Sequence, residues 1–163
     1  CDTPQDLVVG GYEVFSDKGV VGRREAPEEN DPANIKYKFC FGYKTPIYLN
    51  SCLISRDLLM QVGPFDESLR RAQDQDYVLR MIKNTRNIGY ISSYVYRHRK
   101  HRDKYIERIK YRGKNLIYRP QMLKKHTGIF EGALSIVVSS LFDIAKMIYE
   151  IRGEYYSRNI LSS

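Results

Sequence analysis

A chain of 163 residues is long enough for one compact domain with a real core, or for one domain followed by a helical appendage. Its 42% apolar and 28% charged content is ordinary for a globular protein, and its longest uncharged runs, such as residues 132–142, fall short of the roughly 20 residues that cross a bilayer. The net charge of +8 is uneven: residues 97–114 hold nine Lys/Arg and two acids, a local excess of +7 that leaves +1 for the rest. Such a run attracts phosphate, nucleic acid or an anionic membrane surface, or is a solvated helix face.

In chain order, residues 6–15 read as a strand, with Leu7, Val8, Val9, Tyr12, Val14 and Phe15 around a bulge or bend at Gly10-Gly11. The turn residues 16–19 and a returning strand at 20–24 complete a hairpin. Residues 26–34 form a polar loop with two prolines, and residues 35–43 are apolar and aromatic without a clear period. Thr45-Pro46 breaks the chain, and residues 47–54 are rich in strand formers. Residues 55–62 read as a short helix capped by Ser55 and stopped by Gly63-Pro64.

The next stretch, Val62-Gly63-Pro64-Phe65-Asp66-Glu67-Ser68-Leu69, is a turn leading to an acidic helix start, Gln73-Asp74-Gln75-Asp76-Tyr77-Val78-Leu79-Arg80. A helix N-terminus stabilises a deprotonated carboxylate, which suits either a base or a simply decorated helix start. Asp76 and Arg80 stand four apart and can pair on one helix face. After a turn at 84–87, residues 88–96 read as a strand, and the basic run follows. Helical spacing links Tyr105, Ile106, Ile109, Leu116 and Ile117 up to Arg119-Pro120. A longer helical pattern runs through Leu134, Val137, Val138, Leu141, Ile144, Ala145, Ile148 and Ile151, with Gly153 a point of interruption. The 14 tyrosines, against no tryptophan, serve cores and sugar- or base-binding surfaces alike. The three cysteines, Cys1, Cys40 and Cys52, have no metal-like spacing and read as free thiols in a reducing compartment.

Taken together, the hairpin with Asp17-Lys18-Gly19 at its tip, the G-P-F-D-E turn and the acidic helix resemble the second half of the family-2 glycosyltransferases, which have the GT-A fold. The strand at 88–96 and its His98-Arg99-Lys100-His101 ending extend the resemblance, which covers about residues 7–101 and is densest over 51–101. It implies an α/β fold: the acceptor-side, C-terminal half of a GT-A domain over residues 1–103, followed by an all-helical extension over 104–163. It also implies transfer of a sugar from a nucleotide-sugar donor to a glycan, lipid-linked or protein acceptor hydroxyl. In such enzymes the first Asp of the acidic motif is the base, which here is Asp74. Gln73, Asp76 and Arg80 are its supporting residues. His101 is the candidate for the metal or the donor diphosphate, with Arg99 beside it and Arg97 in the same position of choice between site and surface.

The resemblance further implies a divalent metal, Mg or Mn, held mainly by a D-x-D motif upstream of this chain. Asp74-Gln75-Asp76 spells D-x-D but follows the G-P-F-D-E turn, on the acceptor side. The donor-binding half and a Q-x-x-R-W signature are absent from these 163 residues, so the expectation is a fragment that does not turn over alone, belonging to a non-processive cytoplasmic enzyme with peripheral contact to anionic membrane. The start at Cys1 leaves an upstream targeting segment open. Two rival readings stand beside this one. The basic run with Tyr105 and Tyr111 could bind nucleic acid or an anionic membrane without catalysis, though no nucleic-acid motif accompanies it. The helical tail could serve association with a partner or a second copy.

Overall fold

The computed structural model describes residues 5–26, 31–40, 47–100 and 105–160. The chain divides into two units, one of Cys1–Phe39, Tyr43–Ser68 and Ala72–His101, the other of Arg102–Ser163 with the short segments Cys40–Gly42 and Leu69–Arg71.

The first unit is α/β, built around β1 (Leu7–Ser16). The first half of β1 pairs antiparallel with β3 (Cys52–Ile54) and its second half antiparallel with β2 (Gly19–Arg24), while β4 (Ile88–Arg99) runs parallel to β1 from Leu7 to Phe15. A strand has two hydrogen-bonding edges, so β2 and β3 share one edge of β1 in succession and β4 takes the other. The ladder with β4 slips on either side of Gly11. Glycine is needed there by close approach: a Cβ on Gly10 would stand 2.5 Å from Val95 Cγ2, and one on Gly11 2.7 Å from the Arg24 carbonyl oxygen. The Gly10-Gly11 irregularity expected from sequence is thus where β4 bulges.

Helices α1 (Pro32–Cys40), α2 (Arg56–Val62) and α3 (Gln73–Asn84) complete this unit. Leu7, Val9, Ile35, Ile47, Leu58, Val78, Met81 and Ile88 are among its buried apolar side chains. Alternate residues Leu7 and Val9 point from β1 into this core, whereas α3 contributes Val78, Met81 and Ile82 at helical spacing. Ser55 caps α2 by accepting from Leu58 N–H at 3.2 Å, and Gly63, at φ 71°, ends it by donating to Leu59 O at 3.0 Å.

Three elements differ from the sequence expectation. The polar loop at 26–34 gives way to α1 already at Pro32, because Asp31 Oδ1 accepts from Ala33 N–H at 2.9 Å and proline suits the first helical position. Of residues 47–54 only Cys52–Ile54 are strand. Leu49–Ser51 form a 3₁₀ turn in which Ser51 donates to Tyr48 O through both its N–H and its hydroxyl, each at 2.9 Å. Strand β4 runs on through Arg97 and Arg99, so the start of the basic run is extended chain laid against β1.

The second unit is a helical hairpin of α4 (Tyr105–His126) and α5 (Ile129–Ile160), joined by Thr127 and Gly128. A two-residue connection makes the helices antiparallel neighbours. Helix α4 passes through Pro120 rather than ending there, and α5 continues through Gly153. Met122 and Leu123 are fully buried, and Thr127 closes α4 by donating to Leu123 O from its N–H at 3.1 Å and from its hydroxyl at 2.8 Å.

Candidate functional site

The turn after α2 and the start of α3 form one built piece. Phe65 stacks on Tyr77 of α3, ring centroids 4.4 Å apart. Asp66 Oδ1 accepts from Ser68 N–H at 2.9 Å and from its hydroxyl at 2.6 Å, which fixes the turn. Ala72 then adopts a left-handed conformation, φ 61° and ψ 24°, and its carbonyl accepts from Asp76 N–H at 2.9 Å to begin α3. That conformation costs a residue with a Cβ roughly 1 kcal/mol, and here it sits two residues before Asp74.

Asp74 and Asp76 have different environments. Two residues apart on a helix, they are rotated by about 200° and face opposite ways. Asp76 is 2% exposed, and its Oδ2 accepts from Arg80 Nε at 2.9 Å. Arg80 also donates from Nη1 to Val62 O at 2.6 Å and lies 4.9 Å from the Tyr77 ring centroid, tying α3 to the end of α2. This carboxylate is bound into the packing of the helix pair. Asp74, like its neighbour Gln73, is solvent-exposed in the first turn of α3.

Tyr48, just before the 3₁₀ turn, has a phenol raised well above its ordinary value. Desolvation is the largest cause, followed by a hydrogen bond shared with Tyr12, the charge of Tyr12 and that of Asp74, against a lowering by Arg24. Tyr48 therefore stays protonated. Its ring packs on Tyr12, centroids 4.7 Å apart, and Tyr12 in turn neighbours Tyr96 at 6.4 Å, with His98 at 6.4 Å from Tyr96. Tyr12 and Tyr96 are directly paired across β1 and β4, and the two-residue period places His98 on the same face as Tyr96. The 3₁₀ turn, β1 and β4 thus gather a neutral phenol and a row of tilted rings, and Asp74 stands exposed at the start of α3. The high tyrosine content was the one signal for the rings, and it carried no position.

Arg97 and Arg99 lie on the other face of β4. Arg97 bonds Glu13 Oε2 through Nε at 3.2 Å, and the two guanidinium carbons stand 5.6 and 5.2 Å from the Phe15 ring centroid. Arg23 completes this cluster by pairing with Glu13 Oε1 at 3.1 Å. The structure gathers these arginines around Glu13 and Phe15 and does not bring Arg99 together with Asp74. His101 lies outside the described residues. Among the described residues no three His, Cys, Asp or Glu side chains converge as metal ligands. Asp74-Gln75-Asp76 has the letters of a metal motif, but the carboxylate of Asp76 is committed to Arg80. Cys52, whose thiol donates to Tyr48 O at 3.2 Å, is pushed up to about 12 by burial and is an inert thiol.

Comparison with protein-family models, with curated proteins and with solved structures yields no match for this chain.

Proposed function

We propose that residues 5–100 form the acceptor-side surface of a glycosyltransferase of the family-2 kind, with Asp74 as general base. The observation that carries this reading is the division of labour between the two acids at the α3 mouth. Asp76 is buried on Arg80, whereas Asp74 is exposed at the helix mouth and its charge contributes to the raised phenol of Tyr48, which packs on Tyr12. Aromatic rings with polar tips suit a sugar, whose C–H face packs on a ring while its hydroxyls bond to phenols and carboxylates.

In this reading an acceptor sugar lies against Tyr12 and Tyr48. Asp74 takes the proton of the attacking hydroxyl as its oxygen bonds to the anomeric carbon of a nucleotide-sugar. The bond from that carbon to the diphosphate oxygen breaks in line, the electron pair leaves with the nucleoside diphosphate, and the configuration inverts. Donor binding and any divalent cation, Mg or Mn, belong to groups outside the described residues. Tyr48, held neutral, shares a hydrogen bond with Tyr12, so the two phenols present one polar edge to the acceptor hydroxyls. Saturation-transfer NMR with a panel of mono- and disaccharides tests the surface: Tyr12→Ala is expected to weaken binding of the preferred saccharide by about tenfold. A panel in which no saccharide contacts the protein, or a Tyr12→Ala protein that binds as before, would remove this support.

A further inference from the structure

Helix α5 is turned inside out. At 3.6 residues per turn, Phe130, Leu134, Val137, Leu141, Ile144 and Ile148 form one apolar stripe. In the hairpin that stripe is exposed, with Phe130 91% and Leu141 60% accessible. The face that is buried instead carries Gly132, Ser135, Ser139 and Asp143. Ser135 and Ser139 turn their hydroxyls back on their own helix, donating to Gly132 O at 3.1 Å and Ile136 O at 3.2 Å. The charges inside are matched: Arg112 of α4 donates from Nη2 to Glu150 Oε1 at 2.7 Å and reaches Asp143 at 4.0 Å. Small residues, self-satisfied hydroxyls and paired charges within, apolar side chains without, is the polarity of helices packed in lipid.

Phe130–Arg152, 23 residues, are long and apolar enough to cross a bilayer. The short uncharged run in the sequence understated this, because Asp143 and Lys146 interrupt it from outside the apolar stripe. A crossing is opposed by α4, which lies along α5 and exposes Lys110 and Lys114, charges that a span would carry into hydrocarbon. We infer that the hairpin binds an anionic bilayer with α5 lying in the interface plane, its outer stripe among the acyl chains and α4 behind it. Two observations favour lipid over a second copy. The exposed apolar arc, widened by Phe142 and Tyr149, spans roughly half the helix circumference at 3.6 residues per turn, whereas a helix–helix seam needs only a narrow stripe. The hairpin tip also sets Lys124, Lys125 and His126 next to Phe130, at the end of the apolar stripe.

Flotation of the whole chain with vesicles of phosphatidylcholine, with and without 30 mole per cent phosphatidylglycerol, tests this. The expected result is flotation with the anionic vesicles, weakened by salt and released by alkaline carbonate. Leu141→Asp with Ile148→Asp is expected to cut partitioning by about a hundredfold while leaving far-UV helicity unchanged, since both side chains are exposed in the free chain. Lys124→Glu with Lys125→Glu, which leaves the apolar stripe intact, is expected to cut it by about tenfold on anionic vesicles. Three results overturn the inference: no flotation, as with a dimer in solution that the Leu141→Asp/Ile148→Asp change dissociates; equal flotation of wild type and that variant; or flotation that resists carbonate and yields only to detergent, the mark of a span.

Discussion

The Asp76–Arg80 pair sets the frame that points Asp74 outward, and its removal has a calculable cost. Arg80→Met keeps most of the side-chain volume but withdraws the guanidinium from a carboxylate that is 2% exposed and from the Val62 carbonyl at the end of α2. Breaking a buried ion pair from one side typically costs 3–5 kcal/mol. Two features lower that here: the Arg80 side chain is 24% accessible, and its Nη2 is buried without a hydrogen bond, so the pair is less than fully satisfied. The expected loss is about 2–3 kcal/mol. Asp76→Asn keeps the shape, removes the buried charge and leaves Arg80 on Val62 O, so about 1–2 kcal/mol is expected. The double variant should then be less destabilised than the sum of the two by about 1 kcal/mol or more, the coupling of neighbours in one network. Urea unfolding followed by circular dichroism, with two-state behaviour of this unit checked by a second probe, measures all three. An Arg80→Met protein within about 0.5 kcal/mol of wild type, a shift typical of plain surface changes, or strict additivity in the cycle, would refute the reasoning.

Three further outcomes follow from single features. Gly11→Ala places a Cβ 2.7 Å from the Arg24 carbonyl oxygen on backbone that cannot swing away, so a loss of about 1–3 kcal/mol in urea unfolding is expected, whereas Gly22→Ala, with its nearest neighbour 3.9 Å off, should cost far less. Ser55→Ala removes the α2 cap and should cost about 1 kcal/mol, with Ser55→Asp close to neutral in the same assay. Burial raises the Cys52 thiol from 9.0 to about 12, so its alkylation at pH 8, followed residue by residue by mass spectrometry, should run roughly a thousandfold slower in the native than in the urea-unfolded chain. The same shift gives a sign to alkaline stability. Above pH 9 the unfolded chain releases the Cys52 proton while the folded chain keeps it, so this contribution is whole below pH 9 and is lost as pH rises toward 12. Cys52→Ala should flatten that decline, and an unchanged pH profile would contradict it.

Where local chemistry decides the backbone, the sequence was readable. Ser55 and Gly63 bracket α2, Gly10-Gly11 mark the bulge, and the run of strand formers Leu7, Val8 and Val9 marks β1. The boundaries missed were set by partners distant in sequence. Strand β4 runs past Tyr96 because Arg97 and Arg99 find Glu13 and Phe15 across the sheet, some 84 residues away. Helix α4 continues through Pro120 in the middle of a hairpin whose second helix supplies packing, not propensity. At the candidate site the two acids and their helix were legible, but not which of them is buried, since Val62 O becomes a partner for Arg80 only once α2 and α3 pack. The tyrosine row was invisible for the same reason: Tyr12 and Tyr96 meet only through sheet register, and Tyr48 reaches Tyr12 from the turn before β3. In α5 the helical period was legible but not its facing, because hydropathy gives a stripe and does not say what lies against it.

The central claim, that Asp74 is the base of a sugar transfer, is tested most directly by turnover. The full-length protein would be given a panel of nucleoside-diphosphate sugars with glycan and lipid-linked acceptors, and nucleoside diphosphate release followed for wild type and Asp74→Asn. Asp74 is exposed, so the substitution should leave the fold and its unfolding midpoint unchanged. The expected result is acceptor-dependent release that falls about 10²–10⁴-fold in Asp74→Asn with the acceptor KM little altered. Turnover near wild type in that variant, or no release from any donor by the intact protein, would contradict it.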